Sequence, residues 1–306
     1  MASKDVLVCG TLNLETTLPV SGFPLAYEPV RYRRFELRSQ LSGVGFNVAR
    51  ALTVLGNRVR LASLVGTDFL GRALRGAFPD YGLSAEWVLP LLTETPQSVV
   101  VFDDAGRRMI HTDLKDLGEQ AYPAEAFERA LPGCPLTVMT NANFSRPRLA
   151  QAKAAGASVA TDLQTASESS GAYDADFLRA GNVLFLSHEK LGRSAEAFVA
   201  GLWERTAAQV IVVGLGAAGA LPCLPGQPNR QLPAVEVRPV VNTAGAGDAL
   251  VACFLHFYWD GDAPLAALRK ALVFAGYKVG ENGASRGFLP EGQLLRVVAL
   301  MSGEGE

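Results

Sequence analysis

A run of small residues that ends in an aspartate, directly before an apolar helical pattern, carries the strongest chemical signal of the sequence. Residues 242–248 read Asn-Thr-Ala-Gly-Ala-Gly-Asp, and residues 249–258 are mostly apolar. The first N–H groups of a helix have no acceptor within the helix, and glycines let a phosphate oxygen approach them. Asp248 would sit in the first helical turn, where it can accept a proton from an attacking hydroxyl. These residues predict phosphoryl transfer, whereas a tight turn before a first-turn acid is the alternative.

A second glycine pattern argues for a different chemistry. Residues 214–219 spell Gly-x-Gly-x-x-Gly after an apolar run, which is the fingerprint of a nicotinamide-dependent oxidoreductase. That fingerprint must open a helix, but residues 221–226 read Leu-Pro-Cys-Leu-Pro-Gly, which cannot form one. A turn into an antiparallel strand fits better, so an oxidoreductase is disfavoured.

Two further segments carry polar side chains near turns. Residues 42–49 read Ser-Gly-Val-Gly-Phe-Asn-Val-Ala and lead into a helical pattern that ends at Gly56. Residues 10–15 read Gly-Thr-Leu-Asn-Leu-Glu and follow the first apolar run. Taken singly, Asn47 is best explained by a glycine turn with an asparagine in the first helical turn. For Asn13, a role as a capping or turn residue and a role in a binding site are about equally well supported.

In their order along the chain, these segments resemble the ribokinase (phosphofructokinase-B) family, from Gly10 to about Gly287. Residues 242–248 are similar to the family's Asp-Thr-x-Gly-Ala-Gly-Asp signature, with Asn242 in place of the first Asp. The resemblance implies ATP and Mg²⁺ as cofactors and Asp248 as the catalytic base. It does not imply the monovalent cation that members such as ribokinase bind near the first position, because Asn242 departs there. The implied anion hole consists of Ala244, Gly245, Ala246 and Gly247.

The resemblance also implies a set of substrate contacts. Residues 42–49 are similar to the family's Gly-Gly-x-x-x-Asn-x-Ala element, in which the turn admits the substrate and the asparagine binds sugar hydroxyls. Residues 10–15 are similar to Gly-Ser-x-Asn-x-Asp, with a longer Glu in place of the Asp. The substrate itself therefore cannot be copied from ribokinase. The implied substrate-binding residues are Asn13, Glu15, Gly43, Gly45 and Asn47.

For the nucleotide and its metal, the likeness is looser. Residues 187–190 read Ser-His-Glu-Lys where the family has Asn-x-x-Glu, and 161–164 match a strand end of the form Asp-x-Asn. The resemblance implies Glu189 as a metal ligand, one residue earlier than the Glu of the family's element. The alternatives are that Lys190 contacts phosphate directly, or that water and nucleotide hold the metal. The implied cofactor-binding residues are Ala244, Ser187, Gly214, Gly216 and Gly219.

The elements that must position these residues follow a βαβ rhythm. Short apolar runs alternate with helical patterns, which predicts an α/β fold with a doubly wound, mostly parallel sheet and helices on both faces. We expect one kinase domain, 1–306. Two segments break the rhythm: 16–40 has alternating apolar residues, and 97–112 contains a hairpin turn at Asp103-Asp104-Ala105-Gly106. They predict a small, discontinuous β-sheet lid formed by about 16–40 and 95–115, which could also mediate a homodimer.

Composition excludes several other classes of protein. The 306 residues include 28 Lys and Arg against 30 Asp and Glu, so no global field attracts nucleic acid or anionic lipid. The four Cys and three His show no ligand spacing, and neither zinc nor a disulfide framework is indicated. No apolar run approaches bilayer length. We expect a cytoplasmic protein whose partner is a small molecule.

The sequence therefore predicts transfer of the γ-phosphoryl group of ATP to a hydroxyl, a primary alcohol, of a sugar or nucleoside. A sugar-phosphate kinase of the fructose-6-phosphate type is one alternative, favoured by arginines in the lid. These are Arg31, Arg33, Arg34 and Arg38. A nucleotide-binding pseudokinase that acts as a sensor is another, because Ser187 and Lys190 depart from the family pattern.

Overall fold

The apolar runs form the strands of a large, mainly parallel sheet in a computed structural model that describes residues 5–166 and 171–302. The strands in these residues are β1 (Asp5–Cys9), β2 (Asn13–Val20), β3 (Arg38–Ser42), β4 (Arg58–Gly66), β5 (Val88–Leu92), β6 (Gln97–Asp103), β7 (Arg108–Asp113), β8 (Leu136–Thr140), β9 (Ser158–Thr165), β10 (Val183–Ser187), β11 (Val210–Gly214) and β12 (Ala220–Cys223). The large sheet has the order β12-β11-β10-β9-β8-β1-β4-β5, and β12 alone of these strands is antiparallel to its neighbour.

Helices cover both faces of this sheet. In the described residues they are α1 (Val44–Val54), α2 (Phe69–Gly76), α3 (Ala124–Ala130), α4 (Leu149–Ala154), α5 (Gly171–Ala180), α6 (Ala195–Ala200), α7 (Ala246–Trp259), α8 (Pro264–Lys278) and α9 (Glu291–Ser302). Along β1, Val6 and Val8 enter one apolar core, whereas Leu7 and Cys9 enter the other. Side chains of a strand alternate between faces, so a strand buried on both sides is apolar throughout. The predicted fold class is confirmed.

Four of the strands form a second, smaller sheet in the order β3-β2-β6-β7. Strand β2 is antiparallel to β3 and parallel to β6, and the hairpin turn predicted at 103–106 joins the antiparallel pair β6 and β7. Because its strands come from separate stretches of sequence, this sheet is an extension of the main fold, as predicted.

Part of the segment from 16 to 40 does not form the strand that its alternating pattern predicts. Residues 21–37 contain no strand, and most of their apolar side chains are exposed, with Tyr32 97% and Phe35 84% accessible. Pro24 and Pro29 have no N–H to donate to a ladder, and these side chains have no buried layer to pack against. Alternation alone is a strand signal only where one face is covered.

The predicted domain 1–306 includes residues 1–4, 167–170 and 303–306, which lie outside the described residues. Within 5–166 and 171–302, no helix combines the length and the apolar composition needed to cross a membrane.

Candidate active site

The N-terminus of α7 lies at the centre of the site. Gly245 caps this helix with φ of 77°, in the left-handed region that favours glycine. A Cβ on Gly245 would lie 2.3 Å from the carbonyl oxygen of Ala284, so glycine is also required by close backbone packing. Asp248 occupies the first turn, as predicted, and the buried remainder of the helix anchors it against the core.

Asp248 is partly buried, and it is held by Asn47, one of the residues expected to bind substrate. Helix α1 packs against α7, and Asn47 Nδ2 donates a 2.7 Å hydrogen bond to Asp248 Oδ2 across 201 residues of sequence. Burial raises the pKa of Asp248 to about 6, while the bond from Asn47 and the charge of Lys278 act to lower it. A carboxylate with this pKa is mostly ionised at neutral pH and still basic enough to accept a proton.

Glu15 lies near this pair and is bonded to neighbouring polar groups. It is 4% exposed, and it accepts hydrogen bonds from Gln40 Nε2 at 2.9 Å, Ser42 Oγ at 2.9 Å and the N–H of Ala284 at 3.2 Å. The Ser42 hydroxyl also lies 3.4 Å from Asn47 Oδ1. Both carboxylate oxygens of Glu15 therefore have protein donors, and the side chain joins β2 and β3 to the loop that follows α8.

Close backbone packing requires glycine at the cap of α1, Gly43, and in its first turn, Gly45. A Cβ on Gly43 would lie 2.6 Å from the carbonyl oxygen of Thr11, and one on Gly45 would lie 2.4 Å from the carbonyl carbon of Gly10. They let the start of α1 pack directly on the loop after β1. This packing brings Asn47 to Asp248.

Asn13 lies in the same region with one polar atom unpaired. Its Nδ2 donates to Ser98 Oγ at 3.1 Å, whereas its buried Oδ1 has no hydrogen-bond partner among the described residues. A buried acceptor without a donor costs free energy, and a substrate hydroxyl would supply the donor.

Two of the four amides in the implied anion hole already have acceptors. The N–H of Ala244 donates to Asn242 Oδ1 at 2.8 Å, and the N–H of Ala246 donates to the carbonyl of Thr243 at 3.2 Å. Gly247 borders open space, since a Cβ there would have no heavy atom of the described residues within 4 Å. The amides of Gly245 and Gly247 are therefore the donors best suited to an incoming phosphate.

The implied nucleotide residues lie where parallel strands end. Ser187 ends β10 and Gly214 ends β11, and the N–H of His188 donates to the Gly214 carbonyl at 3.1 Å. Gly216 begins a short 3₁₀ turn, and Gly219 leads directly into β12, the antiparallel strand predicted in place of a helix. Ligands of open α/β sheets bind at this edge.

Glu189, the metal ligand that the resemblance implies, is exposed and lies near a cation. Its Oε1 lies 3.7 Å from Nη2 of Arg108, whose guanidinium also donates to Thr243 Oγ1. Arg108 belongs to β7, so it connects the small sheet to the anion-hole loop. Among the described residues, no group of three His, Cys, Asp or Glu side chains is arranged to hold a metal by itself.

Asp162, Arg108 and Lys278 enter the site without having been assigned a role from sequence. Asp162 lies in β9 and is 7% exposed; burial raises its pKa to about 7, and the nearby charge of Asp248 adds to the rise. Lys278 ends α8 and is fully buried. A lysine in an apolar helical run was the signal that could have identified it.

The chain matches a family of carbohydrate kinases. The sequence model of the pfkB family carbohydrate kinase matches residues 3–291, so the chain belongs to that family. The match confirms the resemblance to the ribokinase family and the predicted kinase class.

Two curated relatives are similar over most of this chain. The bifunctional protein HldE of Caulobacter vibrioides is 29% identical over 299 residues, which cover 92% of this chain and 61% of that protein. The chain therefore spans less than two thirds of the HldE protein. The acarbose 7(IV)-phosphotransferase of an Actinoplanes species is 27% identical over 300 residues, covering 96% of this chain and 98% of the relative.

Solved structures agree with the fold. A microbiome-derived acarbose kinase superposes with a TM-score of 0.88 at 25% identity, covering 98% of this chain and 100% of that one. A ribokinase of Arabidopsis thaliana, complexed with ribose and ATP, superposes with a TM-score of 0.80 at 18% identity, covering 97% of this chain and 99% of that one.

Proposed function

We propose that the chain transfers the γ-phosphoryl group of ATP to a hydroxyl, a primary alcohol, of a sugar or nucleoside, with Asp248 as the general base. The observation that carries this proposal is the carboxylate of Asp248. It is held by Asn47 in the first turn of α7, beside the open space at Gly247.

In the proposed reaction, the ionised Asp248 takes the proton of the acceptor hydroxyl as its oxygen attacks the γ-phosphorus. The bond from that phosphorus to the β–γ bridging oxygen breaks, ADP leaves, and Asp248 then releases the proton to water. The N–H groups of Gly245 and Gly247, with the positive end of α7, stabilise the charge on the transferred oxygens. Asn13 Oδ1 is available to accept a hydrogen bond from another substrate hydroxyl.

Mg²⁺ would enter with the nucleotide, and its charge would offset that of the β- and γ-phosphates. Asp162 and Asp248 suit this group, because two carboxylates close enough for one to raise the pKa of the other are both favoured by a nearby cation. Asp162 is the better oxygen ligand, since Glu189 is paired with Arg108. The loop of Ser187, Gly214, Gly216 and Gly219 is proposed to border the nucleotide.

The small sheet is proposed to act as a lid. Arg108 of β7 already contacts Thr243 beside the anion hole, so movement of the sheet would move a cation towards or away from the phosphates. The exposed apolar side chains of the same sheet suit the predicted homodimer. These are Val99, Met109 and Ile110.

Two of the four lid arginines favour a sugar or nucleoside acceptor over a sugar phosphate. Arg31 is paired with Glu28 at 2.5 Å and Arg33 with Glu36 at 2.6 Å, so neither is free to grip a phosphate. Among acceptors, the names of the relatives favour an acarbose-like sugar, and an Arabidopsis ribokinase was solved with ribose.

The proposal is tested by measuring ADP release from Mg-ATP with the purified protein and a panel of acceptors. The panel holds free sugars, acarbose, nucleosides and sugar phosphates, with an acceptor-free reaction as the control for ATP hydrolysis. Release above that control with a free sugar, acarbose or nucleoside is the expected result. Release with sugar phosphates alone would support the alternative acceptor class, and ATP binding without turnover on the whole panel would support a pseudokinase.

A further inference from the structure

Lys278 is a fully buried ammonium group that the proposed reaction does not use. It is the last residue of α8, and it is 0% exposed. Taking an ammonium ion out of water costs several kcal/mol, and burial persists only where hydrogen bonds and charges compensate. The partners of Lys278 therefore show what the charge is for.

Those partners are backbone carbonyls of the anion-hole loop. Lys278 Nζ donates to the carbonyl oxygen of Ala244 and lies 3.5 Å from that of Asn242. Both carbonyls belong to the residues directly before Gly245, the cap of α7. The side chain of Asn242 holds the other edge of the loop, because its Oδ1 accepts from the N–H of Ala244 at 2.8 Å. Carbonyl oxygens that converge on a positive charge are also what proteins offer to a bound cation, and Lys278 has two of them.

The surrounding charges favour the protonated state of Lys278. Burial lowers its pKa to about 8, while the carboxylates of Glu15 and Asp248 act to raise it, Arg108 to lower it, and Glu281 to raise it. In return, the charge of Lys278 stabilises the ionised form of Asp248. The ammonium thus interacts both with the base and with the loop that would hold the phosphoryl group.

We propose that Lys278 is a positioning residue, a built-in cation that orients the carbonyls of Asn242 and Ala244 so that the amides of Gly245 and Gly247 face the transferred phosphoryl group. The chain consequently needs no free monovalent cation. This inference rests on the proposed kinase function for its effect on turnover, but the cation site itself can be tested without catalysis.

The first experiment measures thermal stability. Lys278→Ala removes the ammonium and leaves a cavity bordered by the two carbonyls, which K⁺ or NH₄⁺ can enter and tetramethylammonium cannot. We expect the Tm of the variant to rise by about 2–4 °C in KCl or NH₄Cl relative to tetramethylammonium chloride. The wild-type Tm should be the same in all three chlorides. Lys270→Ala, which removes a partly exposed lysine that bonds Asp262 at 2.7 Å, is the matched control.

The second experiment measures steady-state kinetics in the same salts. We expect Lys278→Ala to lower kcat on the order of 100-fold, with the KM for ATP nearly unchanged, because the loop's amides are misplaced rather than lost. K⁺ or NH₄⁺ should restore much of the kcat. Lys278→Met fills the space without the charge, so it should lose kcat and not be rescued.

Several results would overturn the inference. They are a wild-type kcat in Lys278→Met, equal responses of Lys278→Ala to all three salts in both experiments, and stimulation of the wild-type protein by K⁺. If Lys278→Ala does not fold in any salt, Lys278→Met decides by its kcat. If the wild-type protein has no kinase activity, the kinase proposal fails, but the Tm comparison still tests the cation site.

Discussion

Removing the amide that holds Asp248 should move the pH dependence of the reaction in a calculable direction. Asn47 Nδ2 donates to Asp248 Oδ2 at 2.7 Å and thereby stabilises the ionised carboxylate. Asn47→Ala deletes this bond and leaves the buried charge with one donor fewer. The pKa of Asp248, about 6 in the intact site, should therefore rise. Because the base must be ionised, activity is retained above this pKa and lost as the pH falls through it.

The size of the shift follows from the strength of the bond. A hydrogen bond to a charged group contributes roughly 1.5–3 kcal/mol, and one pKa unit corresponds to about 1.4 kcal/mol. The acid limb of kcat/KM should thus move from about pH 6 to about pH 7–8. With a pKa of about 7.5, only roughly one quarter of the base would be ionised at about pH 7, against roughly nine tenths in the wild type.

The assay is kcat/KM from about pH 5 to about pH 8, with the acceptor found in the screen, for Asn47→Ala and the wild type. The ratio of variant to wild type should be smallest at low pH and recover as the pH rises. Asn143→Ala, the same change at an exposed asparagine, should leave the profile unmoved. A ratio that is constant across the range would mean that Asn47 only binds substrate and does not tune Asp248, which would refute the reasoning.

Two other variants separate the roles of the loop and the lid. Gly247→Ala should keep or raise stability by up to about 1 kcal/mol, because the added methyl meets no described atom. It should still lower kcat roughly 10- to 100-fold by crowding the phosphoryl group. The control Gly76→Ala, at an equally open position, should leave kcat unchanged. An unaffected kcat in Gly247→Ala would show that this amide is not part of the anion hole. Arg108→Met breaks the contact with Thr243 and should raise the KM for ATP roughly 3- to 10-fold in initial-rate measurements. Arg107→Met, whose partner is Asp103 in the turn, should not, and equal effects of the two would contradict the role of Arg108.

The main sheet could be predicted because the signal for each strand lies within a short stretch of sequence. Most of its strands are buried on both faces, so they appear as short apolar runs. In the small sheet, the hairpin at 103–106 has the residues that its turn requires. The structure of segment 21–37 could not be predicted, because its alternating apolar side chains are exposed and a sequence does not show which faces are covered. The alternation of apolar residues is present in this segment, but the strand that it predicts does not form.

The site could be predicted only in part for a similar reason. The loop and Asp248 form one continuous motif, and Asn47 is identified by the glycines beside it. The three donors to Glu15 come from two separate places in the chain, strand β3 and the loop after α8, and their meeting depends on tertiary packing. The same holds for Lys278, whose acceptors lie 34 and 36 residues away.

The central claim is that Asp248 is the base of a phosphoryl transfer to an alcohol. The most direct test follows ³²P from [γ-³²P]ATP into the acceptor in a single turnover, for the wild type and for Asp248→Asn. Nucleotide binding is measured alongside on both proteins. The account predicts labelled phosphate ester from the wild type, a rate lower by roughly 100- to 10,000-fold in the variant, and similar ATP binding in both. Label transfer at the wild-type rate by Asp248→Asn would contradict it.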